Sequence, residues 1–411
     1  MFPINLLTTL LLALSVVANP LLVKRSPVTL PISRRVNITS VNSLLKHDQV
    51  RAQTLLAGAL TTVENLLHEA DAVSEQLENQ AVSYVASVGI GSPATTYELL
   101  LDTGSSNTWI GANKAYTQTQ TSSKTPNSFA VSYGSGSCSG DEYTDQLTIV
   151  PGFTVDKQLL GVASQAQGFK DVDGILGLGP VGLTLGSLSP ATGDTVPTVT
   201  DNLFSQGLIP TNAIGISFEP TNSEKEFNGA INWGSIDTSK FTGDLTYIPI
   251  TTVSPASHYW GIDQAITYGE STPILDTAAG IVDTGTTLIL VATDAFNKYK
   301  DAVGAVLDQQ TGLLTINPAQ YASLQSLYFK AGGNSFELTP NAQIWPRALN
   351  NDIGGTSDKI YLVIADLGAK SGSGFDFING YAFLERFYSV FDTTNKRVGL
   401  ATTPFTQATS N

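Results

Sequence analysis

Two short stretches constrain this chain more than any other feature: LLLDTGSSNTWIGA at residues 99–112 and GIVDTGTTLILVA at residues 280–292. In each, an apolar run ends in an aspartate, turns through Thr-Gly and continues into a hydroxyl residue. The two aspartates, Asp102 and Asp283, are 181 residues apart. An acid at the end of a core strand is costly unless its oxygens are hydrogen-bonded. The glycine lets backbone come close, and Ser105 or Thr286 has a hydroxyl to donate to the neighbouring carboxylate. A lone Asp-Thr-Gly reads as a turn. Two copies with the same apolar approach and hydroxyl follow-up imply a duplicated half-site. If the loops meet across a pseudo-twofold axis, the carboxylates fall about 3 Å apart, and like charges that close share one proton. One carboxylate then accepts a proton from water while the other donates to a carbonyl.

The rest of the chain narrows the setting. Its 411 residues imply two or more domains. Few residues are charged, and Gly, Ser and Thr are abundant, which suits many short strands joined by turns. A net charge of −14 disfavours nucleic acid and acidic membrane surfaces as partners. The charge is uneven: six of the 21 bases and three of the 35 acids fall in the first 70 residues, which leaves 15 and 32 for the remainder. A basic head on an acidic body suggests two parts that meet and separate. Residues 1–18 form an uncharged apolar run closed by small residues and Pro20, read as a secretory signal peptide. The single cysteine, Cys138, excludes an intrachain disulfide and reads as a small space-filling residue.

Residues 19–70 read as a basic prosegment, extended and proline-interrupted at first. From Ser43 to Gln80, apolar residues such as Leu44, Leu45, Leu55, Leu56 and Leu60 recur at helical steps. The sequon Asn37-Ile38-Thr39 lies in this part. After Ala81 the pattern becomes β, with FAVSYGSGSCSGDEYTDQLTIV shaped as a hairpin with a glycine-rich tip. Short helical pieces are expected at PTVTDNLFSQG, TDAFNKYKDAVGAV and PAQYASLQSLYF. Two glycine patterns, at Gly177-Leu-Gly179-Pro-Val-Gly182 and at Gly89-Ile-Gly91, are followed by proline and more turns rather than by a helix, so both read as turn glycines and not as a dinucleotide fingerprint.

Elimination leaves carboxylate chemistry. His47 and His68 fall in the expected prosegment, and His258 with one distant cysteine makes no zinc site. No GxSxG elbow and no GxxxxGK[ST] loop is present.

The sequence resembles the pepsin-like aspartic endopeptidases, whose two active-site signatures appear as DTGSSNTW and VDTGTT, and the likeness covers residues 81–405. VGIGSPATTYELLLDTGSS resembles the family's entry hairpin, VSYGSGSCSG its flap, and DGILGLG its apolar-glycine loop. HYWGI resembles its C-lobe substrate wall, and FLERFYSVFDTTNKRVGLA its closing strands. The resemblance implies a mainly β, bilobal acid-protease fold, with two pseudo-twofold-related, six-stranded barrel-like lobes and a cleft between them. It places the N-terminal lobe with its flap at residues 71–245 and the C-terminal lobe at 246–411. Asp102 and Asp283 would be catalytic, with Gly104, Ser105, Gly285 and Thr286 supporting the dyad. Tyr133 on the flap would close over substrate and bond Trp109, while Gly134 and Ser135 would offer backbone contacts to the peptide.

The resemblance also implies a secreted, extracellular monomer that needs no metal or cofactor. It would bind extended protein and peptide substrates and pepstatin-like inhibitors, and it would mature from a zymogen at low pH. Two departures from the family stand out. Asn379, in FINGYAF, takes the place of an apolar residue in the C-lobe apolar-glycine loop. No lysine lies between Lys46 and Lys114, so Lys46 and Arg51 are both candidates for the base that blocks the dyad. Three other readings are a silent relative that only binds in its cleft, a glycosidase with paired carboxylates and a structural β-protein. The intact motifs disfavour the first and the duplicated loop the second. Acids at the ends of apolar strands disfavour the third.

Overall fold

The computed structural model describes residues 28–36, 43–58, 82–134, 136–190 and 193–411. The expected signal peptide, the sequon at Asn37 and Ser135, expected on the flap, lie outside those residues, as does the helical pattern expected beyond Gly58.

The described residues open with strand β1 (Val28–Val36) and helix α1 (Ser43–Gly58). Eight strands then run to the first apolar-glycine loop and just past it: β2 (Val82–Ile90), β3 (Thr95–Asp102), β4 (Trp109–Ile110), β5 (Ser123–Tyr133), β6 (Gly136–Val150), β7 (Phe153–Gln167), β8 (Gly174–Gly177) and β9 (Leu188–Ser189). β10 (Ala213–Phe218), β11 (Lys225–Trp233) and β12 (Thr242–Pro249) lead to β13 (Gly261–Tyr268), β14 (Thr272–Val282) and β15 (Ile289–Val291). Next come β16 (Val306–Leu307), β17 (Leu314–Ile316), β18 (Leu327–Ala331), β19 (Asn334–Leu338), β20 (Ile360–Tyr361) and β21 (Ile364–Asp366). The last three are β22 (Phe377–Asn379), β23 (Phe387–Asp392) and β24 (Arg397–Thr402).

The architecture is mainly β and two-lobed. A 14-stranded sheet runs β12-β24-β23-β10-β11-β1-β2-β3-β8-β4-β7-β6-β5-β9, a seven-stranded sheet runs β19-β18-β13-β14-β22-β15-β21, and β16, β17 and β20 form a third. The first sheet is this long because the closing strands β23 and β24 return from the C-terminal lobe to pair beside β10. The expected lobe boundary at residue 245 falls within β12. β1 is inserted between β11 and β2, antiparallel to both.

The apolar runs before the two aspartates have a structural cause. β3 pairs in parallel with β8, and β14 in parallel with β22. Parallel strands of this kind are covered on both faces and so read as continuous apolar runs. Leu99 and Leu101 are buried in the main core, while Leu100 packs toward a second cluster around Trp109, Tyr133 and Phe169. Each fully buried leucine contributes about 1.5–3 kcal/mol, enough to hold the strand while an acid sits at its end.

Two of the three expected short helices form as read: Val199–Ser205, held by the Thr198–Asp201 capping box, and Thr293–Val303, ended by left-handed Gly304 at φ 65°. The third stops at Ala322, because Leu327, Phe329 and Ala331 are buried alternately and the segment continues as β18.

Candidate active site

Asp102 ends β3 and Asp283 follows β14, and both are fully buried. Their surroundings mirror each other. The Gly104 N–H donates to Asp102 Oδ1 at 2.9 Å and the Ser105 hydroxyl to Oδ2 at 2.5 Å. The Gly285 N–H donates to Asp283 Oδ1 at 3.0 Å and the Thr286 hydroxyl to Oδ2 at 2.6 Å. Glycine is required at both turns: a Cβ on Gly104 would lie 2.7 Å from Asp283 Oδ1, and one on Gly285 2.7 Å from Asp102 Oδ1. Each glycine therefore faces the opposite carboxylate.

The middle residue of each Asp-Thr-Gly joins the halves, a role the sequence reading missed. The Thr103 N–H donates to Thr284 Oγ1 at 3.0 Å, and the Thr284 N–H donates to Thr103 Oγ1 at 3.0 Å. The two hydroxyls donate onward across the interface, Thr284 to the Leu101 carbonyl and Thr103 to the Val282 carbonyl. The doubled threonine was the available signal, since only a duplicated motif can make a reciprocal bond across a twofold.

Beside this pair, the β5–β6 hairpin carries Tyr133 at its tip. Its hydroxyl accepts from Trp109 Nε1 at 2.9 Å, and Phe169 stands edge-on to both rings. Burial pushes the Tyr133 hydroxyl well above its ordinary range, so it stays protonated. Cys138, buried on the same hairpin, has its thiol pushed up by burial, which makes it inert packing.

Helix α1 fills the space between the hairpin and the aspartates. Arg51 Nη2 donates to Asp102 Oδ1 at 2.5 Å and to Asp283 Oδ1 at 3.0 Å, and its Nε donates to Asp283 Oδ2 at 2.8 Å. One nitrogen thus reaches both carboxylates, while Nε and Nη2 together hold Asp283 in the two-pronged way a planar guanidinium allows. Burial alone raises a carboxyl's pKa, but the charge of Arg51 and its hydrogen bonds outweigh that and hold Asp283 below the ordinary aspartate range. Of the two candidate bases, Arg51 takes the position and Lys46 is exposed.

Further contacts seat the helix. Asp48 accepts the N–H groups of Thr287 and Leu288, Gln49 donates to the Asp366 carbonyl, and Tyr259 donates to the Leu55 carbonyl. Gly134 is packed so closely on α1 that a Cβ there would lie 2.3 Å from Arg51 Cα.

Among the described residues no cluster of His, Cys, Asp and Glu has the makings of a metal site, and no helix is long and apolar enough to cross a membrane.

A duplicated Asp-Thr-Gly loop, joined by reciprocal threonine bonds beneath a tyrosine-bearing hairpin, defines an aspartic protease. Residues 83–403 match the eukaryotic aspartyl protease family, and the chain belongs to it. It is 64% identical over 333 residues to polyporopepsin of Irpex lacteus, which covers 81% of this chain and 98% of that protein. Cathepsin E of Rattus norvegicus is 31% identical over 351 residues, covering 80% of this chain and 82% of its own. The crystal structure of an aspartic proteinase from Irpex lacteus superposes with a TM-score of 0.80 at 55% identity, over 94% of this chain and 100% of that one. The chain is accordingly an aspartic endopeptidase of the pepsin-like kind.

Proposed function

We propose that this endopeptidase is secreted as an inactive precursor and cleaves proteins in acid, with Asp102 and Asp283 activating the attacking water. The observation that carries this reading is the mirrored pair of buried carboxylates bridged by Arg51. Without the guanidinium, two carboxylates this close hold one proton between them. The ionised member takes a proton from water as the oxygen attacks the peptide carbonyl, and the protonated member donates to the carbonyl oxygen. As the C–N bond breaks, the proton gained from water passes to the leaving amine and a hydroxyl of the tetrahedral diol returns its proton to the other carboxylate, so the dyad ends the cycle with one proton. No covalent intermediate, metal or cofactor enters this step.

Ser105, Thr286, Gly104 and Gly285 keep the carboxylate planes facing. The hairpin with Tyr133 covers an extended peptide, with Gly134 and Ser135 at its tip offering backbone partners. Pepstatin-like inhibitors fit the same groups as mimics of the tetrahedral state.

In the precursor, residues 1–18 act as signal and 19–70 as prosegment, ahead of lobes at 71–245 and 246–411. β1 and α1 are the described parts of that prosegment, and Arg51 blocks the dyad. The Arg51 lock depends on ionised aspartates. Asp283 is depressed in the closed form, so closure is favoured above the ordinary carboxylate range and lost as pH falls through the lowered value. Acid therefore opens the cleft.

The test is hydrolysis of an acid-denatured protein by chain recovered from culture medium, between about pH 3 and about pH 7, with and without pepstatin. Cleavage favoured by acid and blocked by pepstatin, from a chain shortened to about residue 70, is the expected result. Cleavage that pepstatin leaves untouched, or an Asp283→Asn variant with activity intact, would overturn the assignment.

A further inference from the structure

The strand that brings Asp283 to the site is flanked by β13 on one side and β22 on the other, and one side chain from each meets over it. Gln264 Nε2 donates to Asn379 Oδ1 at 3.1 Å, and Asn379 Nδ2 donates to Gln264 Oε1 at 2.9 Å. Both side chains are shut off from solvent. Strand register explains how they reach each other. Gln264 pairs with Ala278 and Asn379 pairs with Val282, so both amides share a face with Ala278, Gly280 and Val282. Between them, Gly280 is closely covered by Phe377: a Cβ there would lie 2.4 Å from the Phe377 carbonyl oxygen and 2.5 Å from its ring.

The other lobe supplies the comparison. Shifted by the spacing of the two aspartates, Ala278 corresponds to Tyr97 and Val282 to Leu101. Tyr97 pairs with Val88 and Leu101 with Leu176, and both partners are apolar and buried in the core. The same two topological positions are thus Val and Leu in one lobe and Gln and Asn in the other. Packing alone is met by the apolar solution, so the amides add something that packing does not need. A reciprocal amide pair is directional and tolerates little sliding of β22 against β13.

What β22 holds is the dyad loop. The Asn379 carbonyl accepts the Asp283 N–H at 3.1 Å, and just beyond it the Tyr381 N–H donates to the Thr286 carbonyl at 2.9 Å. β13, at its other end, continues from Trp260, whose carbonyl accepts the Val282 N–H at 3.1 Å. A Cβ on Gly380 would lie 2.2 Å from the Leu288 carbonyl oxygen, so the strand has no slack at this point.

We propose that Gln264 and Asn379 are positioning residues for catalysis, a clamp that fixes the height of Asp283 against Asp102. The clamp acts through the backbone on either side of Asp283 and touches no substrate. It rests on the assignment of Asp283 to the dyad.

The experiment compares Asn379→Leu, Gln264→Val, the two together and Gln264→Glu, each expressed as the full chain and matured, with Asp283→Asn as reference. Each apolar single variant is expected to lower kcat between about ten- and about a hundredfold with KM within about twofold, and to shift the limbs of the pH profile. The double variant, with no orphaned amide, recovers thermal stability but keeps the low kcat and shifted limbs. Gln264→Glu recovers in acid most of the kcat lost in Gln264→Val, because a protonated carboxyl makes both bonds to Asn379. It loses that gain as pH rises and the carboxyl ionises.

Wild-type kcat and limbs in the folded single variants or in the double variant would overturn the clamp. So would a Gln264→Glu profile matching Gln264→Val at every pH, and this comparison decides the matter if the apolar variants do not fold. An active Asp283→Asn enzyme would instead overturn the dyad assignment itself. An inactive Asp283→Asn beside unaffected clamp variants would overturn the clamp alone.

Discussion

A single guanidinium, that of Arg51, bridges the two aspartates. Arg51 is one helical step from Asp48, on the same face of α1, so that Arg51 meets the two carboxylates of the cleft while Asp48 accepts the backbone N–H groups of Thr287 and Leu288. Replacing Arg51 with alanine leaves two buried carboxylates without a cation, so one takes up a proton and the helix loses its strongest hold. The expected outcome is a precursor that matures at a pH at least about one unit higher than wild type, read by following the shortened chain on gels across pH. Maturation of both chains with the same pH profile would count against the lock. At the dyad, Asp283→Asn should lower kcat/KM by at least about a thousandfold on a peptide substrate, with the folded state retained. Both aspartates and their glycines and hydroxyls were legible in the sequence because they lie within a short motif whose local chemistry is distinctive, whereas the pairing of Tyr133 with Trp109 was implied only by the family resemblance. Arg51 was not separable from Lys46, because helical spacing does not say which face of α1 meets the cleft.

Elements matter here through how closely they approach the loops. The pattern Gly177-Leu-Gly179-Pro-Val-Gly182 looks uniform in sequence and is not uniform in space. A Cβ on Gly177 would lie 2.3 Å from the Ser106 carbonyl carbon, and one on Gly179 2.7 Å from Ser106 Oγ. One on Gly182 would meet nothing within 4 Å. β8 therefore needs its last glycine in order to run beneath the loop that follows Asp102. Gly177→Ala should cost about 1–3 kcal/mol and lower kcat, while Gly182→Ala should stay within about 0.5 kcal/mol, both read by thermal unfolding and initial rates. Equal effects at the two sites would show that the strand has slack. The sequence identified these as turn glycines. Which of them are indispensable depends on a neighbour some 70 residues earlier in the chain, as at Gly177 and Ser106.

Across the whole molecule, β1 does more than tether α1. Its Arg34 is buried 4.0 Å from Glu385 and lies over the rings of Trp345 and Tyr381. Burial pushes Glu385 above the ordinary carboxylate range, while Arg34, Arg386 and the Tyr84 hydroxyl pull it back. A raised carboxyl favours the folded state in acid, and that advantage fades as pH climbs through the raised value. If maturation removes the segment carrying β1, as proposed above, the Arg34 contribution goes with it, and the penalty for an ionised Glu385 grows. The mature enzyme should therefore unfold at lower temperature near neutral pH than in acid. Glu385→Gln should raise that neutral-pH unfolding temperature and leave the acid value unchanged. A melting curve of the variant that parallels wild type across pH would remove Glu385 as the cause. This interleaving of β1 with a sheet built from both lobes was not visible in the sequence, which showed only that a basic head preceded an acidic body.

What the sequence determined by itself was the pair of Asp-Thr-Gly half-sites and the mainly β class of fold. Apolar runs ending in Asp-Thr-Gly, hydroxyl residues after the turn and alternating strand patterns are short-range signals, readable wherever they occur. Tertiary structure alone decided the reciprocal threonine bonds, the arginine across the carboxylates and the amide pair behind Asp283. Those contacts join residues 181, 232 and 115 positions apart. Partners that far apart are chosen by how strands register and lobes close, which no local spacing encodes.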